Sequence, residues 1–285
     1  MPEILRSSLT NVVLLLLSLG INDLIGFEFM DPPSKESIMR SLEVLYALGA
    51  LNSKGKLTKT GYKMSEFPLD PVLTKCILLS EKYGVTKSII GMIAMINESG
   101  NLFYRPKDKK ELAEKRKEEF VNELGDQLML MKIWRDWCDV GYSKSWCDDY
   151  FIQYKTMRRV KNVYDQLIKL VKKIGIEISK DGESSVNNRM IQKAIVGGFF
   201  MNIVKLNNMG DGYSKLKGGK NDVGCFIHPS SSLYKVKPKP KMILYNELVL
   251  TSKEYMRNCM IVDENLVKEM ASHYYNPIDN KKQNQ

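Results

Sequence analysis

The sequence predicts a mainly α chain that ends in a small β domain. Three observations carry this. Apolar residues recur every three or four positions through most of residues 9–174, the period of helices packed on a core. One tight-turn signal, Lys54-Gly55, interrupts that pattern with a short alternating run on either side. Towards the C-terminus the pattern changes to short β-like runs, CFIH, KMILYNELVLT and EYMRNCMIV, separated by Gly-rich or Lys/Pro-rich segments.

Taken in order, residues 9–19 (LTNVVLLLLSL) read as a buried helix stopped by Gly20. Asp31-Pro32-Pro33 ends any regular element, and Ser34 is placed to cap the next helix. In that helix Ile38, Leu42, Leu45 and Tyr46 recur at spacings of three to four, and Gly49 ends the run. LNSKGKLTKTG then reads as a hairpin, and helices followed by one hairpin predict a winged helix over 1–67. Pro68 and Pro71 mark a boundary. Beyond it, 68–178 reads as a helical bundle. Val72, Cys76, Leu79 and Tyr83 form one face, and Ile89, Ile90, Ile93 and Ile96 another. A charged helix is expected to run to about Leu124, a helix over 126–139 to bury Leu128, Met131 and Trp134, and one unbroken helix to cover 146–174, about 40 Å long. Residues 179–275 form the third part. Asp181 to Ser185 reads as a linker, Met190 to Leu206 as a helix, and the β runs as a small barrel or sandwich. Residues 276–285 read as a disordered tail.

The chain has 285 residues, 44% hydrophobic and 27% charged, enough for two or three compact domains. No apolar run reaches the ~18 residues that a membrane span needs, so no membrane role is expected, and the N-terminus lacks a secretory signal. Met1-Pro2-Glu3 reads as a start within a longer protein. The cysteines are Cys76, Cys138, Cys147, Cys225 and Cys259, without CxxC spacing. Free thiols are therefore expected rather than disulfides or zinc ligands. The net charge of +10 is uneven. Residues 1–66 hold 7 basic and 7 acidic side chains, 67–178 hold 20 and 16, and 179–285 hold 16 and 10. A basic excess growing towards the C-terminus fits contact with a polyanion, or a merely soluble basic surface.

Catalytic motifs are absent from the sequence: GxxxxGK[ST], GxGxxG after a strand, a DExH or DExD box, GxSxG and HExxH. Asp148-Asp149 reads as a solvated helix N-terminus, since adjacent helical residues diverge. Trp134, Trp137 and Trp146 have periodic apolar neighbours and read as core. His228, in IHPSSS, reads as a structural turn residue. No catalytic or metal-binding residue is assigned.

Several segments, in order along nearly the whole chain, resemble the region that follows the motor in DEAH-box pre-mRNA-splicing RNA helicases. They include SLGINDLIGFEFMDPP, LEVLYALGALNSKGKLTKTGYKMSEFPLDP, FYRPKDKK, GDQL, SWCDDYFIQYKTMRR, GGFFMNIVKL, IHPSSSLY and NELVLTSKEYMR. The spliceosome-activating branch is the nearest match and the mRNA-release branch the next. The resemblance implies a winged helix, a ratchet bundle and an OB-fold. Tyr62, Gln127, Tyr164 and Asn246 depart from it: a basic residue, a His, an Arg and a His are usual there.

The resemblance also implies a division of labour. Upstream RecA-like domains would bind ATP and Mg2+ and hydrolyse the nucleotide, while this chain, in the nucleus, grips single-stranded RNA. Grip calls for cations on phosphates and aromatic rings on bases. Arg105, Lys107, Lys109 and Lys110 crowd one loop beside Tyr104, facing RNA or positioning the next helix through Asp108. Arg158 and Arg159 cannot both face the core of their helix, leaving RNA contact or a salt bridge for one of them. Lys205, Tyr213, Lys215 and Lys217 combine charge with a ring in the β domain, as a strand-binding face or a basic loop. A second reading is a docking module for a G-patch activator or spliceosome proteins, for which the neutral first segment is suited.

Overall fold

The computed structural model describes residues 9–178, 188–217 and 224–275. The expected linker at 181–185, most of the Gly/Lys segment at 218–223 and the tail lie outside the described residues. Among those described, no helix is long and apolar enough to cross a membrane.

The N-terminal part is built from α1 (Leu9–Ser18), α2 (Lys35–Ala47) and α3 (Lys59–Ser65). Gly20 follows α1 at φ +87°, a conformation that a Cβ disfavours. Ser34 caps α2 by accepting from the Ser37 amide at 3.2 Å. The expected hairpin shrinks to one bridge, Leu51 to Leu57, around an Asn52 side chain that accepts from the Lys54 and Lys56 amides. Its second arm turns helical because the Thr58 hydroxyl accepts from Gly61 N and caps α3.

The bundle comprises α4 (Pro71–Tyr83), α5 (Thr86–Ile96), α6 (Lys110–Glu118), α7 (Asp126–Asp139), α8 (Lys144–Asp149) and α9 (Tyr154–Lys173). Helix α6 stops at Glu118, short of the expected Leu124. The helix expected over 146–174 is two helices. Phe151 takes φ +54°, and Ile152 bridges to Phe103 while the Tyr104 amide donates to Phe151 O and the Gln153 amide to Leu102 O. Pairing with a distant extended segment, and burial of Ile152, thus override helical continuity. Asp148 and Asp149 therefore end a short helix; they do not begin a long one. Trp134 and Trp137 are core, as expected, and the Trp137 indole donates to Ser143 O at 3.0 Å.

The last part opens with α10 (Asn188–Phe199). The helix expected to reach Leu206 ends there, and β-branched Ile203 and Val204 begin β1 (Ile203–Leu206). Strands β2 (Tyr213–Lys215), β3 (Cys225–Ile227), β4 (Met242–Leu250) and β5 (Glu254–Ile261) close a barrel in the order β1-β2-β3-β5-β4. Every pairing is antiparallel except β3 with β5. Helix α11 (Glu264–Tyr275) follows and was not anticipated, although Asp263 and the spacing of Leu266, Val267, Met270 and Ala271 signal it. All five cysteines are free thiols.

Helix α10 lies on α4 because Gly197 and Gly198 allow close approach. A Cβ on Gly198 would stand 2.5 Å from Val72 O and 2.4 Å from Cys76 Sγ. Gly198→Val is expected to cost about 1–3 kcal/mol through overpacking. Gly20→Ala, with nothing within 4 Å, should show only the backbone cost of about 1–2 kcal/mol. Adding the Val72→Ala change should leave the Gly198→Val defect in place, since the clash is with backbone; chemical denaturation of the single and double variants tests this order.

Candidate nucleic-acid interface

The site is organised by the turn into α7. Gly125 sits at φ +121° and bridges Met260, and the Ile261 amide donates to Leu124 O at 2.8 Å. A Cβ at Gly125 would stand 2.3 Å from Cys259 O, so only glycine lets this turn meet β5. The next side chain, Asp126, is 7% exposed. Its Oδ1 accepts from the Ser232 amide at 2.7 Å and the Ser232 hydroxyl at 2.6 Å. Its Oδ2 accepts from the Ser231 hydroxyl at 2.6 Å and the Cys259 amide at 2.8 Å. Every one of these donors belongs to the barrel, so one bundle carboxylate gathers two barrel segments. Gln127, fully buried, donates through Nε2 to Asn246 Oδ1 at 3.0 Å and Asn258 O at 2.5 Å.

Asn258 adopts φ +50°, which asparagine tolerates better than most residues. The strand alternation shifts there, so that Met256 and Cys259, three residues apart, both face the barrel core. The Asn258 side chain donates to Ser99 Oγ at 3.3 Å. The joint is thus pinned from both sides.

Above it opens a cleft of about 670 Å³ between bundle and barrel. The bundle supplies Arg105, Lys117 and Phe103, the barrel supplies Glu247, Arg257 and Asn258, and Ser99, Gly100 and Asp126 lie between. Arg105 Nε is 2.7 Å from Glu114 Oε1, but both side chains are about half exposed. Such a pair is worth at most about 1 kcal/mol, so Glu114 holds Arg105 only weakly. Lys117 Nζ lies 5.5 Å from the Phe103 ring centroid. Arg257 Nε is buried with no hydrogen-bond partner among the described residues. Arg159 donates to Glu98 Oε2 from Nη2 at 2.8 Å and Nε at 3.1 Å, and from Nη2 to Thr156 at 3.1 Å, fixing the turn beside Ser99. Of the two readings for that helix, the salt bridge describes Arg159, while Arg158 is exposed.

His228 lies in the turn that carries Ser230 to the cleft. Its Nδ1 accepts from the Ser230 amide at 3.1 Å, so the ring proton sits on Nε2. Burial, and then the charge of Arg257, lower its pKa and favour the neutral ring. The histidine holds a turn, as its sequence context implied. Among the described residues no group of three or more His, Cys, Asp or Glu side chains is placed to hold a metal.

The cations singled out in the sequence do not converge. Arg105 reaches the cleft. Lys109 lines a separate groove with Asp108, Asp148 and Asp149, where carboxylates oppose a phosphate. Lys107 is exposed on the same loop, and Lys110 is exposed at the start of α6. In the barrel, Tyr213 is 1% exposed and its hydroxyl donates to Pro240 O at 3.0 Å, so the ring is core and offers no face to a base. Lys215 pairs with Val204 and Lys205 with Ser214, which puts the two lysines on opposite faces of the barrel wall. Lys205 also lies 3.7 Å from Glu264, and Lys217 covers the Tyr274 ring at 4.1 Å. Lys117 and Arg257 were missed, because each is one cation among many in sequence. The GDQL and EYMR segments contain the joint and Arg257, and were read only as marks of resemblance.

Asp126→Ala leaves the Ser232 and Cys259 amides without their acceptor. The expected cost is about 2–4 kcal/mol. Hydrogen exchange should show these two amides losing protection before the α4–α10 contact does; simultaneous loss would mean that the carboxylate is not the specific tie.

Two family models match the chain. Residues 41–69 match the helicase associated domain (HA2), winged-helix, and residues 191–274 match the oligonucleotide/oligosaccharide-binding (OB)-fold. The second match spans the whole barrel together with most of α10 and nearly all of α11. The bundle between them, which carries Arg105, Lys117 and Asp126, falls outside both. The chain therefore carries the helicase-associated winged helix and the OB-fold that mark the C-terminal region of DEAH-box helicases.

Proposed function

We propose that this chain grips single-stranded RNA for a DEAH-box helicase motor acting in pre-mRNA splicing in the nucleus. The observation that carries the reading is the cleft between bundle and barrel, with Arg105 and Lys117 on one wall and Arg257 on the other. Its cations come from two parts of the chain, so a strand lying in it touches both at once. Phosphates are met by Arg105 and Lys117, and Phe103 offers an apolar wall for a base. ATP and Mg2+ belong to RecA-like domains upstream, and the splicing assignment rests on the resemblance of the segments quoted above.

Anisotropy of a labelled oligouridylate with the whole chain tests this. Lys117→Ala and Arg105→Ala should each weaken binding and flatten the slope of log K against log salt by roughly 0.7. Arg158→Ala, away from the cleft, should change neither. An affinity independent of salt, or unaltered by the cleft substitutions, counts against the reading.

A second reading has its own observation. Leu15, Leu19, Ile25, Met39, Tyr46 and Tyr62 of the N-terminal part are all at least half exposed, on a segment of zero net charge. Such side chains suit a protein partner, a G-patch activator or a spliceosome protein. Leu19→Glu with Tyr46→Glu should abolish capture of a G-patch peptide while leaving oligouridylate affinity intact; retained capture argues against docking there.

A further inference from the structure

Glu247 and Arg257 stand directly opposite each other across the β4–β5 pair, and both line the cleft. Opposed residues bring their Cβ atoms to about 5 Å, a separation from which a glutamate and an arginine ordinarily pair. Here they do not. Neither makes an ion pair among the described residues, and Arg257 Nε is held out of water with no acceptor. A guanidinium and a carboxylate thus sit side by side on the wall of a cleft, each without an ion-pair partner among the described residues. A buried N–H left unmatched is costly, so the cleft is incomplete until an acceptor arrives.

A phosphate satisfies the arginine but is repelled by the glutamate beside it. One ligand with an acceptor edge next to a donor edge satisfies both. Among the common bases guanine alone offers two adjacent acceptors, O6 and N7, and two adjacent donors, N1–H and the N2 amine. The guanidinium matches the first pair and a carboxylate the second. Uracil has a single N–H donor, and cytosine and adenine have one amine each. Bases of an unpaired strand expose both edges to such contacts. Asn258 at the same wall and Phe103 across the cleft complete a slot with a polar end and an apolar side.

From this geometry we infer that the barrel wall of the cleft reads a nucleobase edge and prefers guanine, Arg257 meeting the O6/N7 edge and Glu247 the N1/N2 edge. This rests on the single-strand reading above. It divides the cleft by role: Arg105 and Lys117 hold the backbone without regard to sequence, and the β4–β5 wall discriminates.

The test uses the whole chain and labelled RNA strands of equal length: oligouridylate, the same strand with alternating guanosines, and versions in which inosine or 7-deazaguanosine replaces guanosine. The guanosine strand should bind about tenfold more tightly than oligouridylate. Inosine, lacking the N2 amine, and 7-deazaguanosine, lacking the N7 acceptor, should each lose part of that advantage. Glu247→Gln should erase the inosine effect, and Lys117→Ala should weaken all strands alike. Equal affinity for all strands, or a guanosine preference indifferent to Glu247→Gln, overturns the base-reading proposal and leaves backbone grip standing. Failure of every strand to bind overturns the single-strand reading and this inference with it.

Discussion

A carboxylate withdrawn from water must find donors, and Asp126 finds all of them in another part of the chain. Its two oxygens take the Ser232 and Cys259 amides and the Ser231 and Ser232 hydroxyls. Charge-assisted bonds of this length are among the stronger contacts a protein makes, and inside a joint they are poorly screened. The cleft walls owe their separation to this tie. Arg105 and Lys117 hang from the bundle, Glu247 and Arg257 from the barrel, and Asp126, together with the Gln127 and Asn258 side chains and the Leu124–Ile261 backbone bond, holds one wall in register with the other.

Two further features protect the joint. Gly125 removes a side chain where the α7 turn meets Cys259 O, and Gly197 and Gly198 do the same where α10 crosses α4. Close backbone approach replaces side-chain filling at both places, which favours a single arrangement over a sliding one. Next to Asp126, Gln127 and Asn246 touch each other at 3.0 Å. Both stand where the resembling helicases carry histidine. The two departures are therefore one event in space: a pair of amides occupies the joint, and an amide pair keeps its hydrogen bond without gaining charge as pH falls.

The surface cations divide by what already engages them. Arg159 is committed to Glu98, Lys217 to the Tyr274 ring, and Lys109 to a groove rich in carboxylates. Arg105 is held only by an exposed partner, and Arg257 Nε by none among the described residues. Charge alone does not make a polyanion site; charge whose present partner is weaker than a phosphate or a base does.

The sequence by itself determined the succession of parts: capped amphipathic helices, a tight turn, a bundle, then short strands. It did so because helix period, caps and turn residues are local signals. Ser34, Gly20, the boundary at Pro71 and the helix over 126–139 were legible for that reason. Where local signals and distant pairing competed, only the tertiary structure decided. Phe103 drew Ile152 out of a helix, β2 and β4 drew Ile203 to Leu206 into a strand, and barrel closure buried Tyr213. The cleft belongs to the second class. Its walls come from residues about 130 positions apart, brought together by the Asp126 and Gln127 bonds, and no window of sequence contains both.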